Sequence, residues 1–231
     1  EPAGASALAL GDVDGDGEPD LFVGGQVIPG RYPEASASRM FRSVGGRLEL
    51  DRAAGRVLAG DGPVSGAIFS DLTGDGRAEL ILAGEWGPLR IYRNQPDGLH
   101  PWDVTVKWKG TNPPGNWPLS DLTGGWNSVT TGDFDNDGRM DLVAGNWGRN
   151  TRYQRFLSHP IELHFADADG DGINELLEAY YDSGEGKRVP LRDWKTLATA
   201  FPLLRDRYDS FTAFSRAGID DLAKAGLPIL N

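Results

Sequence analysis

The sequence contains no cysteine, and this absence excludes several chemistries at once. Disulfide bonds, a thiolate nucleophile and a zinc site built from cysteine are all ruled out. The sequence also lacks a run of about 18 apolar residues, the length that a membrane-spanning helix needs. Histidine is scarce, and His100, His159 and His164 do not have the spacing of a zinc-binding helix. The chemistry that remains depends on oxygen ligands and aromatic side chains.

Basic residues are too few to offset the acidic ones. Lysine and arginine number 23 against 34 aspartates and glutamates, and the formal net charge is −11. A nucleic acid needs a basic face on its partner, so we predict that this protein does not bind one. The sequence has neither a Gly-x-Ser-x-Gly elbow nor a phosphate loop, and we predict no catalytic residue and no enzyme.

One acidic motif occurs four times and is the main feature of the chain. The copies run from Asp12 to Asp20, Asp71 to Glu79, Asp133 to Asp141 and Asp167 to Glu175. Each has Asp at positions 1 and 5, Gly at position 6 and a carboxylate at position 9. Position 3 is Asp in three copies and Thr in the second. Clustered oxygen ligands suit a hard cation, and Ca²⁺ is the natural choice.

The predicted ligands are the side chains at positions 1, 3, 5 and 9, together with the carbonyl at position 7 in three copies. They are Asp12, Asp14, Asp16, Glu18 and Asp20; Asp71, Thr73, Asp75 and Glu79; Asp133, Asp135, Asp137, Arg139 and Asp141; and Asp167, Asp169, Asp171, Ile173 and Glu175. Thr73 lowers the ligand charge of the second loop, so we expect that loop to bind Ca²⁺ weakly or not at all.

An EF-hand is the main alternative for these loops. That motif needs a bidentate Glu at position 12 and flanking helices. Only the fourth copy has such a residue, Glu178, and its preceding segment 161–165 alternates like a strand. We therefore expect every acidic loop to join two β-strands.

The repeat pattern predicts an all-β fold made of four-stranded blades. A second hairpin follows the loop in the first two repeats, at 40–50 and 90–99, which brings each repeat to about four strands. Radially repeated sheets of this kind form a β-propeller. Motif starts at 12, 71, 133 and 167 indicate about four blades, either part of a larger ring or completed by other chains. The third repeat is short and is expected to lack an outer hairpin.

The C-terminal part of the chain differs from the repeats. We divide the sequence into propeller blades at 1–186 and a helical insert or tail at 187–231, which packs on the propeller or on a part of the protein outside this sequence. Asp193 is a predicted N-cap, and short helices are expected near 194–200, 202–208, 210–216 and 219–225. A long insert at 104–126 is expected to form surface loops where partners bind.

The motifs and their flanks resemble FG-GAP repeats, also called VCBS repeats, the calcium-loop blades of integrin-type propellers. A closer resemblance is to the bacterial ASPIC/UnbV or cartilage-acidic-protein-like group. It is carried by Asp20–Gly25, Pro29–Pro33, Gly84–Trp86, Trp126–Ser128 and Gly145–Gly148. The resemblance implies a calcium-binding propeller that is secreted, periplasmic or on the cell surface. Propellers of this group usually have six to eight blades, more than this chain supplies.

Three functions follow as hypotheses. The first is a protein-interaction, assembly or adhesion module whose partner is a protein or further propeller blades at the cell surface. The second is carbohydrate binding through exposed tryptophans in or near the insert, namely Trp102, Trp108, Trp117 and Trp126. The third is a polysaccharide-degrading enzyme on a propeller scaffold, for which Glu85 is the best carboxylate outside the loops. Trp86 and Trp147 are expected to pack between blades.

Overall fold

The computed structural model of the protein describes residues 4–108, 115–148, 151–156, 159 and 161–227, apart from the side chains of Trp108 and Gln154. The chain divides into two compact units. Unit 1 comprises Glu1–Pro29 and Pro33–Gly148, and unit 2 comprises Gly30–Tyr32 and Arg149–Asn231. Among the described residues, no helix is long and apolar enough to cross a membrane.

Unit 1 is built from antiparallel sheets. Sheet 1 contains β1 (Ala5–Gly11), β2 (Asp20–Gly25), β3 (Arg39–Val44) and β4 (Arg47–Leu50), and sheet 2 contains β5 (Val64–Ser70), β6 (Glu79–Gly84), β7 (Arg90–Gln95) and β8 (Gly98–Pro101). A hairpin of β9 (Thr105–Trp108) and β10 (Gly115–Pro118) precedes a 3-10 turn, Leu119–Asp121. Sheet 3 then pairs β11 (Trp126–Gly132) with β12 (Asp141–Asn146).

Successive sheets of unit 1 pack face to face around two cores. In the first core, Ala9, Phe22 and Met40 of sheet 1 meet one face of sheet 2. In the second core, the opposite face of sheet 2, with Ile81 and Ile91, meets sheet 3 and the insert. Sheet 2 is thus buried on both faces, which explains why every residue of β6 is buried.

Unit 2 combines a sheet with short helices. Sheet 4 contains β13 (Glu162–Ala166), β14 (Glu175–Asp182) and β15 (Lys187–Pro190), and the helices are α2 (Trp194–Ala200), α3 (Leu203–Arg207), α4 (Phe211–Phe214) and α5 (Ile219–Lys224). A 3-10 segment, Arg152–Phe156, precedes the sheet. Leu177 and Ala179 on β14 pack against helical residues such as Leu197 and Leu204. One face of sheet 4 is therefore covered by helices.

Several expectations are confirmed, and others need correction. The strands beside all four acidic loops are present, so an EF-hand is excluded, and Asp193 caps α2 by accepting from the Thr196 N–H at 3.0 Å. Four-stranded sheets are confirmed in the first two repeats only. The described parts of sheets 3 and 4 have two and three strands. The insert, expected to be loops, contains the β9–β10 hairpin.

Sequence reasoning missed one helix, α1 (Arg52–Val57) in unit 1. Asp51 is its N-cap, and its carboxylate accepts from the N–H groups of Ala53 and Ala54, each at 2.9 Å. An aspartate followed by helix-favouring residues is a start signal that could have identified it.

Candidate functional site: four acidic loops

Position 1 organises each acidic loop through its own backbone. In loop 1 (residues 12–20), Asp12 accepts from the N–H groups of Gly15 at 2.7 Å and Gly17 at 2.9 Å. The equivalent aspartates of loops 2 (71–79), 3 (133–141) and 4 (167–175) accept from their own position-6 glycines at 2.8, 2.9 and 3.0 Å. The aspartate at position 1 therefore closes the loop through contacts within the protein alone.

Position 9 closes the loop from the following strand. Its carboxylate accepts from the N–H of position 2 in all four copies, at 2.8 to 2.9 Å. The donors are Val13, Leu72, Phe134 and Ala168, and the acceptors are Asp20, Glu79, Asp141 and Glu175. Each of these contacts occupies one carboxylate oxygen and leaves the second available to another partner.

The loop backbone needs two residues in the left-handed region. Position 4 has a φ of +61° to +81° and position 6 a φ of +82° to +88°. Position 4 of loop 3 is Asn136, one of the few residue types that tolerate this region, and the other seven positions are glycine. This recurrent backbone explains why the motif requires Gly at position 6.

We expect Gly138→Ala in loop 3 to destabilise unit 1 by about 1 kcal/mol, because alanine is strained at positive φ. The φ of Gly138 is +82°, and an added Cβ would meet no atom within 4 Å, so the cost is conformational and not steric. Gly55→Ala in α1 is the matched control, since its Cβ also meets open space but its backbone is helical. This control should gain roughly 0.5 kcal/mol. Urea unfolding measures both, and a gain at Gly138 would contradict the argument.

The structure brings the carboxylates of positions 1, 3 and 9 together in three loops. In each group, one oxygen from every residue lies within 4.8 Å of the others. The groups are Asp12, Asp14 and Asp20; Asp133, Asp135 and Asp141; and Asp167, Asp169 and Glu175. The predicted ligands at position 5 lie outside these described clusters. They accept from the N–H of position 7, for example Asp16 from Glu18 at 2.8 Å.

The donor set fits a hard cation. Three carboxylates converge in each cluster, and their mutual repulsion favours a bound positive charge. Hydrogen bonds from Gly17 and Gly15 lower the pKa of Asp12, and hydrogen bonds from Gly76 and Gly74 outweigh burial and lower that of Asp71. These aspartates are therefore held ionised, as metal ligands must be.

Loop 1 contains an arginine among its carboxylates. Arg42 on β3 donates from Nη1 to Asp20 Oδ2 at 3.1 Å, and the same nitrogen lies 3.9 Å from Asp14 Oδ2. Its Nε donates to Asp51, the cap of α1, at 3.0 Å. Asp20 is fully buried, and its Oδ1 accepts from the Ser43 N–H at 2.9 Å. Both oxygens of this buried carboxylate therefore have partners.

In loop 2, by contrast, the buried carboxylate at position 9 has one oxygen without a partner among the described residues. Glu79 is fully buried, and its Oε2 accepts from the Leu72 N–H at 2.8 Å. Its Oε1 and the hydroxyl of Thr73 are buried atoms for which no described residue provides a hydrogen bond. Burial, with the nearby charges of Asp75 and Asp71, raises the pKa of Glu79. A buried carboxylate with one unpaired oxygen is unusual and calls for a partner.

Among the side chains that the structure describes, the tryptophans predicted to bind sugar do not form one exposed surface. Trp102 and Trp126 pack against the second core of unit 1, and Trp126 donates to the Leu122 carbonyl at 3.0 Å. Trp117 is 37% exposed, and the side chain of Trp108 lies outside the described residues. Trp86 and Trp147, expected to pack between blades, are instead 36% and 48% exposed. Glu85 is partly buried in the turn after β6.

Sequence reasoning read Glu178 only as a failed EF-hand ligand, and it missed a buried cluster in unit 2. Glu178 on β14 accepts from Arg152 and from the Tyr153 hydroxyl, and from Arg192 Nε at 3.1 Å. Its side chain is 6% exposed. The carboxylate ties the 3-10 segment before β13 to the residues before α2, and no local sequence pattern predicts such a contact.

Residues 71–144 match the family described as FG-GAP-like repeat. The matched segment begins with loop 2 and ends in β12, immediately after loop 3. No curated protein matches the chain. The match supports the FG-GAP part of the resemblance, and the narrower ASPIC/UnbV grouping stays a prediction.

Proposed function

We propose that this chain is a calcium-stabilised protein-interaction module of propeller type that acts outside the cytoplasm and binds without catalysing a reaction. The FG-GAP-like match supports the interaction role, because such repeats often mediate protein contacts. The observation that carries the proposal is one exposed apolar face of sheet 1. We name it the leucine face, and it consists of Leu8, Leu10, Leu21, Val23, Phe41, Leu48 and Leu50.

The leucine face is contiguous and open. Strand register places Leu10 beside Leu21, Leu21 beside Phe41, and Phe41 beside Leu50, so the residues share one side of all four strands. Leu8 and Leu10 are 63% and 66% exposed. Scattered exposed leucines are ordinary, but a contiguous apolar sheet face indicates an interaction surface.

The same positions of sheet 2 show what covers such a face. Leu99 of β8 is the equivalent of Leu48 of β4. Leu48 pairs with Ser43, the fifth residue of β3, and Leu99 pairs with Asn94, the fifth residue of β7. Leu99 is 4% exposed in the first core, where α1 lies against β8 and sheet 1 packs on β5, whereas Leu48 is 52% exposed. Interfaces between like sheets thus already exist in this chain. The proposed occupant of the leucine face is a further sheet of the same repeat type.

Each copy of the chain carries sheets of this type, so self-association of the purified protein tests whether such a sheet binds the leucine face. Sedimentation velocity should show an average mass that rises with concentration, and an apolar dye should bind. The double variant Leu10→Glu with Leu48→Glu should stay monomeric and bind less dye. Phe211→Glu, at a 63% exposed site in unit 2, is the control and should behave like the unchanged chain. A monomer that binds no dye would overturn the proposal.

Calcium binding is the second part of the proposal, and a thermal melt tests it. Millimolar Ca²⁺ should raise the midpoint above its value in EDTA, because a ligand at about 100 times its Kd stabilises the native state by roughly 2.7 kcal/mol. In a domain of this size each kcal/mol corresponds to about 2–4 °C. Mg²⁺ at equal concentration is the control and should act less, since it demands near-octahedral geometry. Equal midpoints in EDTA and Ca²⁺ would contradict calcium binding.

Carbohydrate binding is a second candidate, favoured by a cavity of about 150 Å³ in unit 1. Tyr92, Trp102, Asp103 and Ser120 are among its lining residues. Its volume is below the roughly 300 Å³ of ordinary ligand pockets, so it suits a single small ring. Affinity electrophoresis in polysaccharide gels tests this function. Retention that Trp102→Ala abolishes would support it, and unretarded migration in every gel would dismiss it.

A further inference from the structure

We propose that the four acidic loops differ in their need for a metal: loop 2, despite Thr73, is a cation site on which its sheet depends, whereas Arg42 supplies the cation of loop 1 from the protein itself. The inference rests on the calcium binding proposed above. It reverses the expectation that the loop with fewest carboxylates is the weak one.

The evidence in loop 2 goes beyond a group of acidic residues. Glu79 has no exposed surface, and its Oε1 is buried without a hydrogen-bond donor anywhere in the described chain. The Thr73 hydroxyl is a second buried oxygen in the same condition. The Oε2 of Glu79 accepts from the Leu72 N–H at 2.8 Å, so the carboxylate lies against loop 2. Two buried oxygens of loop 2 therefore have no partner among the described residues, and a hard cation is the kind of group that such oxygens bind.

Loop 1 shows the same position already satisfied. Asp20 is as buried as Glu79, yet its two oxygens accept from Ser43 N–H, Val13 N–H and the Arg42 guanidinium. Arg42 Nη1 lies within 4 Å of both Asp14 and Asp20. A fixed positive charge therefore stands beside two of the three clustered carboxylates, and it both replaces and repels a metal ion.

The equivalent arginine of sheet 2 is not among the described partners of the buried carboxylate of loop 2. Strand register makes Arg93 on β7 the counterpart of Arg42 on β3. Arg42 follows Phe41, which pairs with the second residue of β2, and Arg93 follows Tyr92, which pairs with the second residue of β6. Arg93 Nη2 lies 3.7 Å from Asp75, and its guanidinium lies over the Trp102 ring at 5.5 Å from the centroid. The buried carboxylate of Glu79 therefore has no arginine among its described partners.

Thr73→Val separates a metal site from a simple packing defect, because it removes the hydroxyl and keeps the shape. In EDTA the variant should melt at or above the unchanged chain, since an unpaired buried hydroxyl is removed. In Ca²⁺ it should melt below it, and calorimetric titration with calcium chloride should show one site weakened about tenfold or more. Asp14→Asn in loop 1 is the control and should leave unchanged the affinity of the site that Thr73→Val weakens.

Arg42→Met tests whether Arg42 replaces a metal ion in loop 1. Removing the guanidinium leaves Asp20 buried with an unpaired charge, so the midpoint in EDTA should fall. Ca²⁺ should then raise the midpoint by more than it does in the unchanged chain, because loop 1 has become a metal-dependent loop. A calcium shift equal to that of the unchanged chain would overturn the role given to Arg42.

The remaining outcomes distinguish this inference from the function on which it rests. If the unchanged chain shows neither a melting shift nor heat with calcium chloride, calcium binding itself fails. If it binds calcium and Thr73→Val binds with the same affinity and stoichiometry, only the inference about loop 2 is overturned. A gain in midpoint by Thr73→Val that is equal in EDTA and Ca²⁺ would also overturn it, since the unpaired atoms would then be a packing defect.

Discussion

Glu178→Ala is expected to destabilise unit 2 by about 3 kcal/mol, because it removes the acceptor of a buried ion-pair cluster. Arg152 and Tyr153 donate to one oxygen of this carboxylate and Arg192 to the other. Arg152 and Arg192 are 55% and 40% exposed, so water partly solvates them after the substitution and keeps the loss below the largest values known for buried pairs. Urea unfolding measures the change.

The same residue predicts a pH dependence. Burial opposes the charge of Glu178, but hydrogen bonds from Tyr153 and Arg192 and the two arginine charges together lower its pKa. A lowered native pKa contributes stability above the unfolded value of about 4.3, and that stability is lost as the pH falls through the native value. The difference between the unchanged chain and Glu178→Gln should therefore be full at pH 7 and shrink below about pH 4.3.

Glu185→Gln is the control for this prediction. Glu185 is 60% exposed and lies 3.7 Å from Lys187, so its loss should cost less than about 1 kcal/mol at any pH. A constant effect of Glu178→Gln from pH 7 to pH 3 would show that its contribution is packing and not charge.

Phe22→Ala is expected to cost about 3–5 kcal/mol, the usual range for emptying a buried aromatic site. Phe22 on β2 has no exposed surface and packs with Ala9 and Met40 in the first core of unit 1. The cavity would open between sheets 1 and 2, where backbone ladders on both sides resist collapse. Denaturant unfolding followed by tryptophan fluorescence gives the change in free energy.

Leu10→Ala is the matched variant on the opposite face of the same sheet. Leu10 lies on the leucine face and is 66% exposed, so its truncation should change stability by no more than about 0.5 kcal/mol. The pair tests which face of sheet 1 is core and which is open. The pair is compared at a dilution where the chain is monomeric, and equal losses at Phe22 and Leu10 would mean that the leucine face is covered within the single chain.

Much of each acidic loop could be predicted because its contacts are local. Position 1 binds the N–H of position 6, and position 9 binds that of position 2, so nine consecutive residues contain the whole pattern. The flanking strands followed from alternation, and the Asp193 cap from a contact three residues long. Helix α1 was missed although Asp51 carries the same kind of local signal.

The motif does not predict which position-9 carboxylate is paired with a basic side chain. Asp20 receives Arg42 from 22 residues away, whereas one oxygen of Glu79 is buried without a partner among the described residues. Glu178 likewise gathers partners up to 26 residues distant. Such contacts depend on strand register and on the length of individual side chains, which a sequence pattern does not record.

The sequence by itself determined the repeated loop chemistry, the strands that flank it and the exclusion of cysteine-based sites, because these depend on composition and on neighbours within about ten residues. Only the tertiary structure decided that sheet 1 has one buried and one open face, that Arg42 enters loop 1, and that Glu79 is buried with an unpaired oxygen. Burial and charge pairing arise when distant strands pack, and that packing distinguishes four loops that are nearly identical in sequence.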